Sequence, residues 1–120
     1  MTGARHLELG SAGEEAALAT YRARGFELVA QNWRCPLGEI DLVLRRDGLV
    51  VVCEVKTRRG FDLGGPFEAV GPSKQRKLRL LAQAFLASVT VDHDAVRFDV
   101  ASVRIDAAGR PAVELFEEAF

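Results

Sequence analysis

The sequence predicts an α/β fold, a mixed β-sheet flanked by helices. Two helix-like segments bracket three consecutive strand-like runs. Asp47-Gly48 joins two of those runs as a tight hairpin. The second helical segment is a crossover, which makes the strand after it parallel to a neighbour. The chain has 120 residues, 48% hydrophobic and 28% charged, so residues 1–120 are expected to form one domain. A chain of this length buries roughly two thirds of its unfolded surface, which excludes a disulfide scaffold or a disordered tail as its organising principle.

The first helix is predicted after Gly10. Ser11-Ala12-Gly13-Glu14 has the Ser-x-x-Glu form of a capping box, Ala17, Leu18 and Tyr21 follow at helical spacing, and Gly25 is a stop. Strands are predicted over Phe26 to Arg34, Glu39 to Arg46 and Leu49 to Thr57, the first two joined through Cys35-Pro36-Leu37-Gly38. The Leu49 to Cys53 run is continuously apolar, as in a central strand covered on both faces. Arg58 to Pro72 is loop-like and rich in glycine. A helix over about Ser73 to Ser88 carries an apolar stripe of Leu78, Leu81, Ala82 and Phe85. Strands over Val96 to Ile105 and about Ala112 to Phe116 complete the order α-β-β-β-α-β-β.

Charge and cysteine content narrow the function. A net charge of −1 excludes a non-specific polycation, but not a nuclease whose metal-binding carboxylates cancel a basic patch. Cys35 and Cys53 form no CxxC, and His6 and His93 have no partner at ligand spacing, so a zinc site is not expected. The N-terminus has no apolar signal region and no run is long enough to span a bilayer; the expectation is a cytoplasmic protein with free thiols and no membrane partner.

The chemistry concentrates at Asp41 and Glu54-Val55-Lys56. A two-residue Asp47-Gly48 turn pairs Arg46 with Leu49, which puts Asp41 opposite Glu54. Alternation puts Lys56 on the same face as Glu54. Two converging carboxylates raise each other's pKa unless a cation intervenes. Mg²⁺ held by Asp41, Glu54 and a backbone carbonyl would meet that need; the plain alternative is an ion pair across a hairpin. The chain has 13 Arg and only 3 Lys, yet the position two after Glu54 is Lys, the residue able to give up its proton. Glu14 leans toward the sheet with Ala17, Leu18 and Tyr21, either as the capping-box acid or as a site group. Glu39 shares the Asp41 face as a spare ligand or a solvated strand end.

From Lys56 to Arg79 there are seven basic residues, Lys56, Arg58, Arg59, Lys74, Arg76, Lys77 and Arg79, against Asp62 and Glu68. Lys74 and Arg76 fall near a helix start, where the dipole disfavours cations and a phosphate would relieve the conflict. A solvated basic face is the alternative. Trp33 reads as edge packing, Cys53 as core, and Asp99 as a paired surface or helix-facing acid.

Gly10-x-x-Gly13-Glu14-x-x-Ala17, Asn32-x-Arg34, Gly38-Glu39-Ile40-Asp41-Leu42, Glu54-Val55-Lys56-x-Arg58, Lys74 and Arg97-Phe98-Asp99-Val100 together resemble the bacterial YraN family over nearly the whole chain. That family looks like a compact member of the restriction-endonuclease-like superfamily, with an αβββαβ core, and is similar to archaeal Holliday-junction resolvases. The superfamily pattern of a helix Glu, a strand Asp and a Glu-x-Lys falls here on Glu14, Asp41, Glu54 and Lys56. The proline that precedes the Asp in the superfamily is Ile40 here, a change that removes no ligand.

The resemblance implies a Mg²⁺-dependent endonuclease, with Mn²⁺ able to substitute, acting on DNA such as branched or damaged duplexes. Asp41, Glu54 and the Val55 carbonyl are the expected metal set. Glu14 and Lys56 complete the catalytic group, and Arg58, Lys74, Arg76 and Lys77 are expected to hold the nucleic-acid backbone. A homodimer is implied by analogy with the resolvases. The rival is a non-catalytic module of the same fold that binds nucleic acid or a repair partner.

Overall fold

A computed structural model describes residues 4–60 and 70–120, with side chains from residue 11 onward. Helix α1 spans Ala4–Ala23, followed by β1 (Glu27–Cys35), β2 (Gly38–Arg46) and β3 (Leu49–Arg59). Helix α2 spans Pro72–Ser88 and leads into β4 (Ala95–Ile105) and β5 (Pro111–Phe116). The five strands form one sheet in the order β1-β2-β3-β4-β5. Only β3 and β4 run parallel; the other three pairings are antiparallel. The α/β class and the mixed sheet are as the sequence predicts. The glycine-rich segment expected to be a loop, Arg58 to Pro72, falls largely on residues 61–69, outside the described residues.

The start of α1 differs from the expectation. The helix begins at Ala4, so Ser11 lies inside it and Glu14 is not the acid of a capping box. A capping box needs a Ser whose own backbone is non-helical, whereas an interior glycine such as Gly10 costs only about 1 kcal/mol. The helix therefore runs back through it. This frees the Glu14 carboxylate from the helix end, and it accepts instead from Gln31 Nε2 at 3.1 Å.

Alternation along the central strands divides the core into two layers. Val50, Val52 and Val43 pack with Leu78, Leu81 and Phe85 of α2, while Val51, Cys53, Leu42 and Leu44 pack with Ala17, Leu18 and Tyr21 of α1. Residues Val50 to Cys53 are all buried, which is why that run is continuously apolar. Trp33 meets Phe85 edge to face at the β1 margin, with ring centroids 5.3 Å apart.

On the α1 side Asp99 is fully buried. Asp99 accepts from the Tyr21 hydroxyl at 2.7 Å and from both Arg97 Nε and Nη2 at 2.9 Å. The Glu118 backbone N–H adds a fourth bond at 3.1 Å. Asp99 is therefore the helix-facing acid and not a surface one. Burial pushes the Tyr21 phenol far above its ordinary pKa, and the bidentate bond to Asp99 raises that of the Arg97 guanidinium.

Gly13 sets how closely α1 approaches the sheet. A Cβ there would collide with Oγ1, Cβ and Cγ2 of Thr57 on β3. The overlap with Oγ1 is outright and Cβ and Cγ2 are already tight, so turning the hydroxyl away still leaves the branch point pressing on the added methyl and pushes the helix outward. Gly13→Ala is expected to lower stability by about 1–3 kcal/mol, read from the urea midpoint. Adding Thr57→Ala is expected to restore part of the loss. Full additivity of the two changes would show that the close approach is not the cause.

Candidate metal centre

The centre is built where the sheet forks. The β2–β3 register runs Arg46↔Leu49 to Leu42↔Cys53, as the two-residue turn predicts, and the ladder stops there. Both strands continue past the stop. β2 stays with β1 through Ile40, Glu39 and Gly38, while β3 stays with β4 as far as Arg59. The next N–H that β3 turns toward β2 is that of Val55. Asp41 takes it with its side chain, Oδ2 accepting from Val55 N at 2.8 Å. Asp41 and Glu54 thus stand on opposite arms of the fork, joined through Val55.

A cleft of about 170 Å³ opens between the arms and the first turns of α2. Glu39, Asp41, Cys53 and Glu54 line it from the sheet, and Lys74, Lys77, Leu78 and Leu81 from the helix. It has room for an ion with several waters and is small for a drug-sized ligand. The α2 N-terminus has no side-chain cap and no acidic residue in its first turn, so its free N–H groups favour negative charge here.

Asp41 responds to this crowding. Burial pushes its carboxyl up to about 6; the Val55 N–H bond pulls the other way, and Glu14, Glu54 and Glu39 push further upward. Glu54 is enclosed as well, with a side chain 14% exposed. Its Oε1 is ion-paired with Lys74 Nζ, and its Oε2 is buried with no hydrogen-bond partner. Cys53, whose thiol burial also pushes up, donates to the Glu54 carbonyl at 3.6 Å.

These features test the fit of a hard divalent cation. Two carboxylates from separate strands converge, one keeps an unsatisfied buried oxygen, and the other is held well above the ordinary carboxylate range by burial and by the carboxylates around it. The donors are all oxygen, the set that Mg²⁺ takes, and a small protein share with waters completing the shell is usual for that ion. Among the described residues no three His, Cys, Asp or Glu side chains form a metal cluster, so the fit is to Asp41, Glu54 and a main-chain oxygen such as that of Val55.

The remaining expected residues fall around this core. Glu14 approaches from the α1 layer, placed by the Gly13 contact and held by Gln31, and its charge is felt at Asp41. Lys56 is half-buried and falls on the Glu54 side of β3 by alternation, with Arg58 following it. Lys74 stands inside the centre on Glu54, and the Lys77 stem crosses Gly38, whose φ of +145° belongs to the glycine region. Arg76 is exposed and turned to Ser73 Oγ at 3.4 Å. Glu39 bonds outward to Arg34 Nε at 3.0 Å. Sequence reasoning missed the Gln31 support, for which no local pattern exists, and the Lys74–Glu54 pair, which spans the crossover.

Residues 13–103 match the family described as "Uncharacterised protein family UPF0102". The chain belongs to that family, UPF0102 (YraN). A UPF0102 protein of Rhodococcus opacus is 41% identical over 117 residues, covering 98% of this chain and 99% of its own. One from Clavibacter michiganensis is 43% identical over 115 residues, covering 96% and 98%. Another, from Symbiobacterium thermophilum, is 43% identical over 112 residues, covering 93% and 95%. The UPF0102 match begins at the glycine that packs on Thr57, takes in the whole fork, and ends before β5. No helix among the described residues is long and apolar enough to cross a membrane.

Proposed function

We propose that this UPF0102 protein is a Mg²⁺-dependent endonuclease that hydrolyses phosphodiester bonds in DNA, with branched or damaged duplexes as its substrates. The observation that carries the reading is the fork: two carboxylates on diverging strands, one with a buried oxygen left unsatisfied, beside an uncapped helix N-terminus. Asp41, Glu54 and the Val55 carbonyl would hold the ion. When bound, it would polarise the scissile phosphate and lower the pKa of its water.

The chain's own groups do the rest. Lys56 orients the attacking water and offsets the charge that grows on the phosphoryl oxygens. Glu14 supports the water from the α1 side. Arg58, Lys74, Arg76 and Lys77 hold the backbone without reading bases. A homodimer would present two such clefts to a four-way substrate.

The test is a panel of linear, nicked, flap and four-way DNA with Mg²⁺, Mn²⁺ or EDTA. Cleavage of at least one substrate with either ion and none in EDTA is expected. Binding that falls steeply with salt but no cut in either ion would support a binding module instead, a reading favoured by the fact that Glu54 already has a cation on it.

A further inference from the structure

We propose that Lys74 is the resident counter-cation of the centre, seated on Glu54 until a divalent ion displaces it. The inference rests on the metal-centre reading and assigns Lys74 a role there beyond holding a backbone.

Lys74 lies in the first turn of α2, where the helix dipole opposes a cation. Its ammonium nevertheless sits on Glu54 Oε1, so the carboxylate must outweigh the dipole. The two partners are unequal in freedom. The Glu54 side chain is 14% exposed and fixed in a buried strand, whereas that of Lys74 is 49% exposed on a flexible stem. Glu54 therefore stays and Lys74 can leave.

The pair is also incomplete. A single ammonium satisfies Oε1 and leaves Oε2 buried without a partner. Lys77 lines the same cleft, but its Cε and Nζ lie over Gly38 on the β2 side. Of the two ammonium groups that line the cleft beside Glu39, Asp41 and Glu54, Lys74 alone is ion-paired with one of these carboxylates among the described residues, and Asp41 has no cation on it.

A doubly charged ion bound between Asp41 and Glu54 answers both deficits. It also repels the ammonium a few ångströms away and removes the attraction that held it against the dipole. Lys74 then turns outward along the mouth of the cleft, where a phosphodiester would lie. The exchange offsets the Glu54 charge whenever no divalent ion is bound and makes cation entry and phosphate capture two halves of one event.

The experiment is calorimetric titration of Mn²⁺, without DNA, into wild type, Lys74→Met, Lys74→Arg and Asp41→Asn. Methionine keeps the stem and removes the competing charge. Lys74→Met is expected to bind Mn²⁺ about tenfold more tightly than wild type. Lys74→Arg is expected to stay at or below wild-type affinity, and Asp41→Asn to lose the site. In EDTA, Lys74→Met is expected to melt below wild type and to regain the difference with Mn²⁺. Equal or weaker Mn²⁺ binding by Lys74→Met, with wild type binding normally, overturns the displacement role alone. Wild-type binding that is absent, or unchanged in Asp41→Asn, overturns the metal-centre reading and this proposal with it.

Discussion

Asp41→Asn is expected to abolish Mg²⁺-dependent cleavage while making the metal-free protein more stable at pH 8. The activity loss is expected to be about a thousandfold or more, since a polarising ion supplies several kcal/mol to the transition state. The stability gain follows from the Asp41 carboxyl, which the fold pushes up to about 6 from an unfolded value of 3.8. Raised in the folded state, it contributes stability that is fully present below about pH 4 and is lost as pH rises through about 6.

At pH 8 wild type therefore keeps a crowded carboxylate, and asparagine does not. The asparagine oxygen can still accept from the Val55 N–H. The gain should be about 1–3 kcal/mol at pH 8 and should shrink toward pH 4. Urea unfolding at both pH values, in EDTA, checks it. A variant less stable than wild type at pH 8 would show that Asp41 is a structural acid.

Asp99→Ala carries the largest expected stability loss, about 3–5 kcal/mol. It removes the acceptor shared by the Tyr21 hydroxyl, the Arg97 guanidinium and the Glu118 N–H, and leaves the Tyr21 hydroxyl in a layer with little access to water. A domain of ordinary stability, about 5–15 kcal/mol, loses a large part of its margin. Arg97 also lies 3.6 Å from Glu117, so it keeps one partner at the surface. Tyr21 keeps none of comparable strength. A urea-measured loss below about 1 kcal/mol would mean that the network is dispensable and that apolar packing alone seats α1.

The hairpin register was legible because a two-residue turn leaves no freedom in it: Arg46 against Leu49 fixes each later pair. Where that ladder ends was not legible. The end depends on Asp41 competing with the β2 backbone for the Val55 N–H, and propensity carries no trace of that contest. The Ser11 to Glu14 pattern misplaced the helix start because the same spacing puts two residues on neighbouring faces inside a helix as well as at its end.

Lys74 was readable as a misplaced cation at a helix start, but its partner lies twenty residues upstream on another element. Alternation with Phe98 leaves Asp99 either a paired surface acid or a helix-facing one. Its full burial followed only once Tyr21 of α1 stood opposite it.

Because main-chain pairing between β2 and β3 ends at Leu42 and Cys53, no further ladder pair backs up the Asp47-Gly48 turn in holding Asp41 near Glu54. The tip of the β1–β2 hairpin is in this respect a cantilever, anchored at one end and tied at the other by a side chain on the Val55 N–H. An ion gripped by both carboxylates would act as a cross-brace at the free end, so that loading the centre stiffens the scaffold that presents it.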